Sequence, residues 1–317
     1  MLSNYAALNN IRGGENMTQP SLPPFREALL AGRRLVCDGA MGTELQRRGL
    51  PPGRCSDVWN LENPAAVADV HQQYAAAGAE ILLTNTFGTN RYRLAHYGMG
   101  DKVAQVARAG VAILRNAVPT GAWLFGEMGP LGEFLEPVGD VSREDAVAAF
   151  SEPAQVFADE GVDAIIIETI AALDEMECAI EAVRSVTTLP LVACFTFEKS
   201  PVGLRTMTGA TPEACATLLR ELAVDAAGCN CGTNLDAKAY CQLVATFARV
   251  AGLPVIVEPN AGTPDLMDGR MVYRASPEDM AQWVPALVDA GARIIGGCCG
   301  TTPDHIRAMA RALHHDA

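Results

Sequence analysis

The chain has 317 residues, 49% hydrophobic and 19% charged, enough to bury a sizeable core. Its 37 acidic residues outnumber 24 basic ones for a net charge of −13, and with no basic stripe this argues against nucleic acid or an anionic membrane surface as a partner. No apolar run is long enough to span a bilayer, the N-terminus lacks a secretion signal, and ten scattered cysteines point to a reducing cytoplasm.

Residues 1–16 are polar, without period, and unlike the rest. Gly13-Gly14-Glu15-Asn16 can be encoded by a purine-rich run like a ribosome-binding site. The expectation is a leader or mis-assigned start over 1–16, with the folded unit spanning 17–317. From there the chain alternates. Short apolar runs at 34–37, 80–84, 122–126, 163–167, 190–195, 224–228, 254–257 and 292–296 have the length of strands. The clearest are apolar almost throughout, as for parallel strands covered on both faces. The sixth, rich in alanine and glycine, is placed by rhythm.

Amphipathic stretches of helical period separate them at 63–78, 101–117, 143–160, 174–187, 212–223, 236–251, 276–290 and 303–314. Asn63-Pro64, Ser142, Thr211-Pro212, Ser276-Pro277 and Thr302-Pro303 read as helix starts. Gly78, Gly161, Gly252 and Gly291 read as helix ends. Eight such units predict a single-domain (β/α)8 barrel of the α/β class. The alternative, an open doubly wound sheet, usually carries a glycine-rich phosphate turn that DGAMGTEL does not match.

Barrel chemistry sits where strands end. Those ends carry Asp38, Thr84-Asn85-Thr86, Glu127, Glu168, Cys229-Asn230-Cys231, Glu258-Pro259-Asn260 and Cys298-Cys299. Thiols and carboxylates thus gather at one mouth. Three thiolates at one point suit zinc, which takes cysteine sulfur in tetrahedral geometry with one position open in catalytic sites. Cys229 and Cys231 share a strand face if the segment stays extended, so one is surplus. Cys298 and Cys299 can meet one metal only if the backbone leaves the strand, which Gly297 and Gly300 permit. The competing reading is a set of unliganded buried thiols. The five histidines, His71 and His305 among them, read as surface or helix-end residues.

DGAMGTELQRRG, GAEILLTNTFGTN, GEMGPLGEFLEP, GCNCG, PNAG and GGCCGTTPDHI together resemble the homocysteine S-methyltransferase family. The resemblance is strongest to the homocysteine-binding module of cobalamin-dependent methionine synthase, and it spans residues 33–314. It implies Zn2+ held by Cys231, Cys298 and Cys299, with Cys229 the surplus thiol. It also implies that Asp38 and Glu168 bind the homocysteine amino group. The amides of Gly39, Ala40 and Met41 would take its carboxylate, and Asn260 would line the pocket. The implied reaction is attack of the zinc-bound thiolate on a methyl donor, forming methionine. Glu127 and Glu258 are further pocket candidates.

The donor is a corrinoid-carried methyl, with the carrier expected to be a separate protein, or a betaine-type compound. In betaine enzymes an aromatic residue meets the quaternary ammonium; here Cys55 holds that position and Trp59 follows four residues on. Alternatives are S-methylmethionine or S-adenosylmethionine as donor, or a non-catalytic zinc-thiolate redox or binding protein. A Schiff-base barrel would need a strand-end lysine, for which only Lys199 is near.

Overall fold

Side chains alternate along a strand, and here the alternation separates two cores. Leu35, Ile81, Phe125, Ile166, Ile256 and Ile294 pack together on the inner side of a closed sheet. Their neighbours Val36, Leu82, Ile165, Val255 and Ile295 face outward to the helices. The computed structural model describes residues 22–118, 121–267 and 270–315; the expected leader lies outside them.

The eight strands are β1 Leu35–Val36, β2 Ile81–Leu83, β3 Trp123–Met128, β4 Ala164–Ile170, β5 Leu191–Phe195, β6 Ala226–Asn230, β7 Val255–Glu258 and β8 Ala292–Ile295. Each pairs in parallel with its neighbour in the order β1-β8-β7-β6-β5-β4-β3-β2. The seam between β1 and β2 closes through the Cys37–Ile81 bridge. Asp38 N–H to Ile81 and Glu80 N–H to Val36 add hydrogen bonds there. This is the expected (β/α)8 barrel.

The helix Phe25–Leu30, absent from the sequence reading, caps the N-terminal end. Its Phe25 ring meets Trp123 and Phe125 edge-on, with centroids 6.0 and 4.7 Å apart. Water is thereby kept from the bottom of the inner core, which leaves the opposite mouth for ligands.

The eight outer helices run Pro64–Ala77, Val103–Ala117, Arg143–Glu160, Leu173–Val186, Pro212–Glu221, Ala237–Ala251, Pro277–Ala290 and Pro303–His315. Ser142, Thr211 and Ser276 accept first-turn amide hydrogen bonds as caps. Asn63 makes no such bond, and the helix after it starts on Pro64 at N1. Gly78, Gly161, Gly252 and Gly291 all end their helices in the left-handed region. Two antiparallel hairpins, Glu198–Ser200 with Gly203–Arg205 and Asp265–Met267 with Arg270–Val272, were not expected. The first is exposed or half-buried, so it carries no core pattern. None of the described helices is long and apolar enough to cross a membrane.

The poor apolar content of β6 has a packing cause. A Cβ on Gly228 would stand 1.9 Å from the Ile256 carbonyl oxygen on β7. Gly228→Ala is therefore expected to cost about 1–3 kcal/mol, the usual price of forcing atoms into a full core. It would be read as a lower urea midpoint at unchanged slope. Gly42→Ala has nothing within 4 Å and should be neutral or stabilising by up to about 1 kcal/mol. Wild-type stability of Gly228→Ala would refute the packing account.

Candidate active site at the barrel mouth

The inner register places the carboxylates. Glu127, Glu168 and Glu258 each lie two residues beyond an inward residue (Phe125, Ile166, Ile256) and so face the barrel axis. Asn230 shares that parity on β6, four residues after Ala226. Cys229 has the opposite parity. It is buried in the outer core and takes no part in the mouth.

Cys231 follows the last residue of β6 and turns inward with φ 53°, and Gly232 continues at φ 111°. A left-handed cysteine is costly, and three groups hold it. Its N–H donates to the Glu258 carbonyl at 3.0 Å. The Tyr240 hydroxyl donates to its carbonyl at 2.7 Å. Asn260 Nδ2 donates to the Gly232 carbonyl at 2.9 Å. Cys298 and Cys299 lie beyond the end of β8, in a turn rather than in the strand. Cys298 N–H donates to the Pro259 carbonyl at 2.8 Å, and Ala261 N–H donates to the Cys299 carbonyl at 3.0 Å. Gly300, at φ 83°, lies so close to the Tyr273 ring that a Cβ would stand 2.2 Å from it.

These turns bring three sulfurs together. Cys231 Sγ is 4.0 Å from Cys299 Sγ, and Cys298 Sγ is 3.9 Å from Cys299 Sγ. All three lie within 4.8 Å of one another. Sulfurs bound tetrahedrally to zinc at about 2.3 Å stand about 3.8 Å apart, so the cluster fits that ion. A disulfide would need sulfurs about 2 Å apart. Hydrogen bonds from the Cys298 and Cys299 thiols lower Cys231 to about 3. The same contact with Cys231 raises Cys298, and raises Cys299 to about 12. These contacts favour one negative charge shared among the three sulfurs and oppose a second until a cation offsets it.

Beside the sulfurs lies a set of buried acids. Burial raises Asp38, with the Leu83 N–H opposing at 3.0 Å. Burial also raises Glu168 to about 7, against a hydrogen bond with Glu258, while the Cys231 charge raises it further. Burial, then the Glu168 charge, raises both Glu258 and Glu127. Apart from the contact between the two acids, Glu168 Oε1 and Glu258 Oε2 receive no hydrogen bond from a donor among the described residues. Asn230 Nδ2 donates to Glu168 Oε2 at 3.2 Å and to Thr169 Oγ1 at 2.7 Å. It thereby fixes the Glu168 carboxylate and the left-handed Thr169 turn.

Not every expected group is free. The Ala40 N–H donates to Thr301 Oγ1 at 3.0 Å. Thr301 Oγ1 in turn donates to the Cys298 carbonyl at 2.8 Å. Gly39 packs so tightly that a Cβ would lie 2.7 Å from Thr301 Oγ1 and 2.8 Å from the Tyr74 hydroxyl. Met41 opens the helix Met41–Arg47. Asn260 lies beside the cluster, its Oδ1 buried with no hydrogen-bond partner among the described residues. Thr84 and Thr86 serve structure: Thr86 Oγ1 donates to the Glu127 carbonyl and Thr84 Oγ1 accepts from the Glu127 N–H.

The histidine reading needs correction. His71 is fully buried with neither ring nitrogen partnered among the described residues, and burial lowers it to about 3. His305 is buried too, with Nε2 2.9 Å from the Ala275 carbonyl and Nδ1 2.9 Å from Thr302 Oγ1. Trp59 is also core, so its ring is not at the mouth. Tyr240, Thr301, Asn230 and Tyr273 are site residues that the sequence did not single out for a role.

A cavity of about 950 Å³ adjoins the cluster. Cys231 lies on one wall, and Arg93, Phe134, Leu173, Phe197 and Met207 line others. The Arg93 guanidinium stands 5.4 Å over the Phe87 ring.

A parallel barrel with thiols and acids converging where its strands end is an enzyme scaffold of the strand-end type. The sequence model of the homocysteine S-methyltransferase family matches residues 35–313, and the chain belongs to that family. It is 32% identical over 305 residues to methionine synthase of Mycobacterium leprae, covering 90% of this chain and 24% of that protein. For methionine synthase of Mycobacterium tuberculosis the identity is 33%, covering 90% and 25%. The chain thus spans about a quarter of the length of these relatives. The metallated homocysteine methyltransferase of Escherichia coli superposes with TM-score 0.75 at 24% identity, covering 91% of this chain and 99% of that one. Its apo form superposes with TM-score 0.69 at 25% identity, covering 92% and 100%.

The acids yield a pH prediction. A buried carboxyl raised above its unfolded value keeps its proton longer in the folded state. Its contribution to stability is present below the unfolded pKa and is lost as pH rises through the folded one. For Glu168 that window runs from 4.5 to about 7. Metal-free protein should therefore show a falling urea midpoint from pH 5 to 8, and Glu258→Gln should flatten the fall. A flat or rising profile would contradict the burial account.

Proposed function

We propose that the protein is a zinc-dependent homocysteine S-methyltransferase that forms methionine. The observation that carries this reading is the juxtaposition of the Cys231, Cys298 and Cys299 sulfurs with the buried acids Asp38, Glu168 and Glu258. The three sulfurs would hold Zn2+. With zinc bound, a fourth position is available where an alkyl thiol loses its proton at neutral pH.

The remaining groups suit an amino acid. Asp38, raised by burial and the Glu168 charge, and Glu168, raised by burial and the Cys231 charge, gain most from an ammonium that brings the missing positive charge. The N–H groups of Gly39 and Met41 are the donors left for the carboxylate, since Ala40 is engaged by Thr301. Asn230 fixes the Glu168 carboxylate, and Tyr240 with Asn260 fixes the backbone of the Cys231 turn. Held at both ends, the substrate presents its sulfur to the cluster. The S–H proton leaves, an S–CH3 bond forms, and the bond from methyl to donor breaks with its electron pair on the donor. The donor is a corrinoid-carried methyl or a small onium compound.

Cys231→Ala or Cys298→Ala should abolish zinc retention and turnover, whereas Cys229→Ala should leave most of both, since Cys229 belongs to the outer core. Metal content by atomic emission and methionine formation by chromatography are the readouts. Homocysteine titrated by calorimetry should bind before chelation and not after. Zinc-independent binding, no binding, or equal damage from Cys229→Ala would overturn the assignment.

A further inference from the structure

The cavity beside the cluster has an uneven charge pattern. Among the described residues four acids line it, Glu133, Asp174, Glu175 and Glu198, and one cation, Arg93. Arg93 comes from the short helix Arg91–Ala95, whose first-turn amides are capped by Asn90 Oδ1. Its stem is fixed by packing: Cβ positions built on Gly132 and Gly88 would stand 3.1 and 3.5 Å from Arg93 atoms. Its head lies over the Phe87 ring. Nε is buried without a hydrogen-bond partner among the described residues. Interior guanidinium groups ordinarily meet carboxylates or phosphates; against the raising effect of burial, the Arg93 charge lowers the nearby Glu175 carboxyl, and the group borders the cavity. The β2 and β3 loops that hold Arg93 stand across the mouth from β6, where Cys231 lines the same cavity.

Resting on the methyltransferase reading above, we infer that Arg93 is the specificity residue for the methyl donor, binding a carboxylate of a small zwitterionic onium compound in this cavity. The chemistry fits at both ends. A methyl group attacked by a thiolate needs a leaving group, and an onium centre leaves as a neutral amine or thioether once the C–N or C–S bond breaks. The acidic lining attracts that positive centre, and the exposed Phe134 ring offers it a π-face. Arg93 then takes the opposite charge and turns the methyl toward Cys231.

The test compares donors that differ only in the carboxylate: glycine betaine against tetramethylammonium, and S-methylmethionine against trimethylsulfonium. Arg93→Met keeps the stem on Phe87 and removes the charge. It should raise KM for the carboxylate donors by about 10- to 100-fold, as for a lost charge-assisted hydrogen bond. Rates with the two simple onium ions and zinc-dependent homocysteine binding by calorimetry should not change, and Arg93→Lys should recover part of the loss. Equal losses with both kinds of donor would overturn the inference. So would turnover with methylcobalamin alone, indifferent to Arg93→Met, and so would no turnover with any onium donor. Homocysteine binding, measured separately, reports on the underlying reading.

Discussion

The mouth of this barrel depends on one strand end that contributes no ligand sulfur. The end of β7 stands between β6 and β8 and holds both cysteine turns by backbone hydrogen bonds. The Glu258 carbonyl takes the Cys231 amide, the Pro259 carbonyl takes the Cys298 amide, and Ala261 donates to Cys299. Asn260 reaches back to Gly232. Three sulfurs drawn close in a buried site repel once charged, and no sulfur–sulfur bond holds them. Backbone geometry must therefore fix their separation before any cation arrives. The short segment Glu258–Ala261 is thus a bracket, and the sulfur spacing of 3.9–4.0 Å is its product.

The acids obey the same logic from the opposite direction. Burying Asp38, Glu168 and Glu258 without a cation is unfavourable, and the folded protein offsets this by keeping protons. A ligand carrying positive charge replaces those protons. A cluster of sulfurs that could hold a metal and a set of buried carboxyls lie side by side, and the proposed function rests on that adjacency.

Most of the barrel was legible in the sequence because strands covered on both faces and glycine-ended helices leave strong local patterns. The strand-end carboxylates were legible by parity alone. The choice between Cys229 and Cys231 was not, since an extended chain would place both on one face. It turns on the left-handed φ of Cys231, which is imposed by Tyr240 and Asn260, 9 and 29 residues away in sequence. The role of Thr301 rests on a contact with Ala40 across 261 residues. His71 was misread although Val67, Val70 and Tyr74 flank it on the buried stripe of its helix. A helical-face count would have placed it inside.

Thr301 gives the site a further property. One hydroxyl accepts the Ala40 amide and donates to the Cys298 carbonyl, so the substrate loop and the sulfur loop share a single side chain. Two occupants on either side of such a joint are thermodynamically linked. Whatever affinity a metal lends to an amino acid here, the amino acid must return to the metal in equal measure.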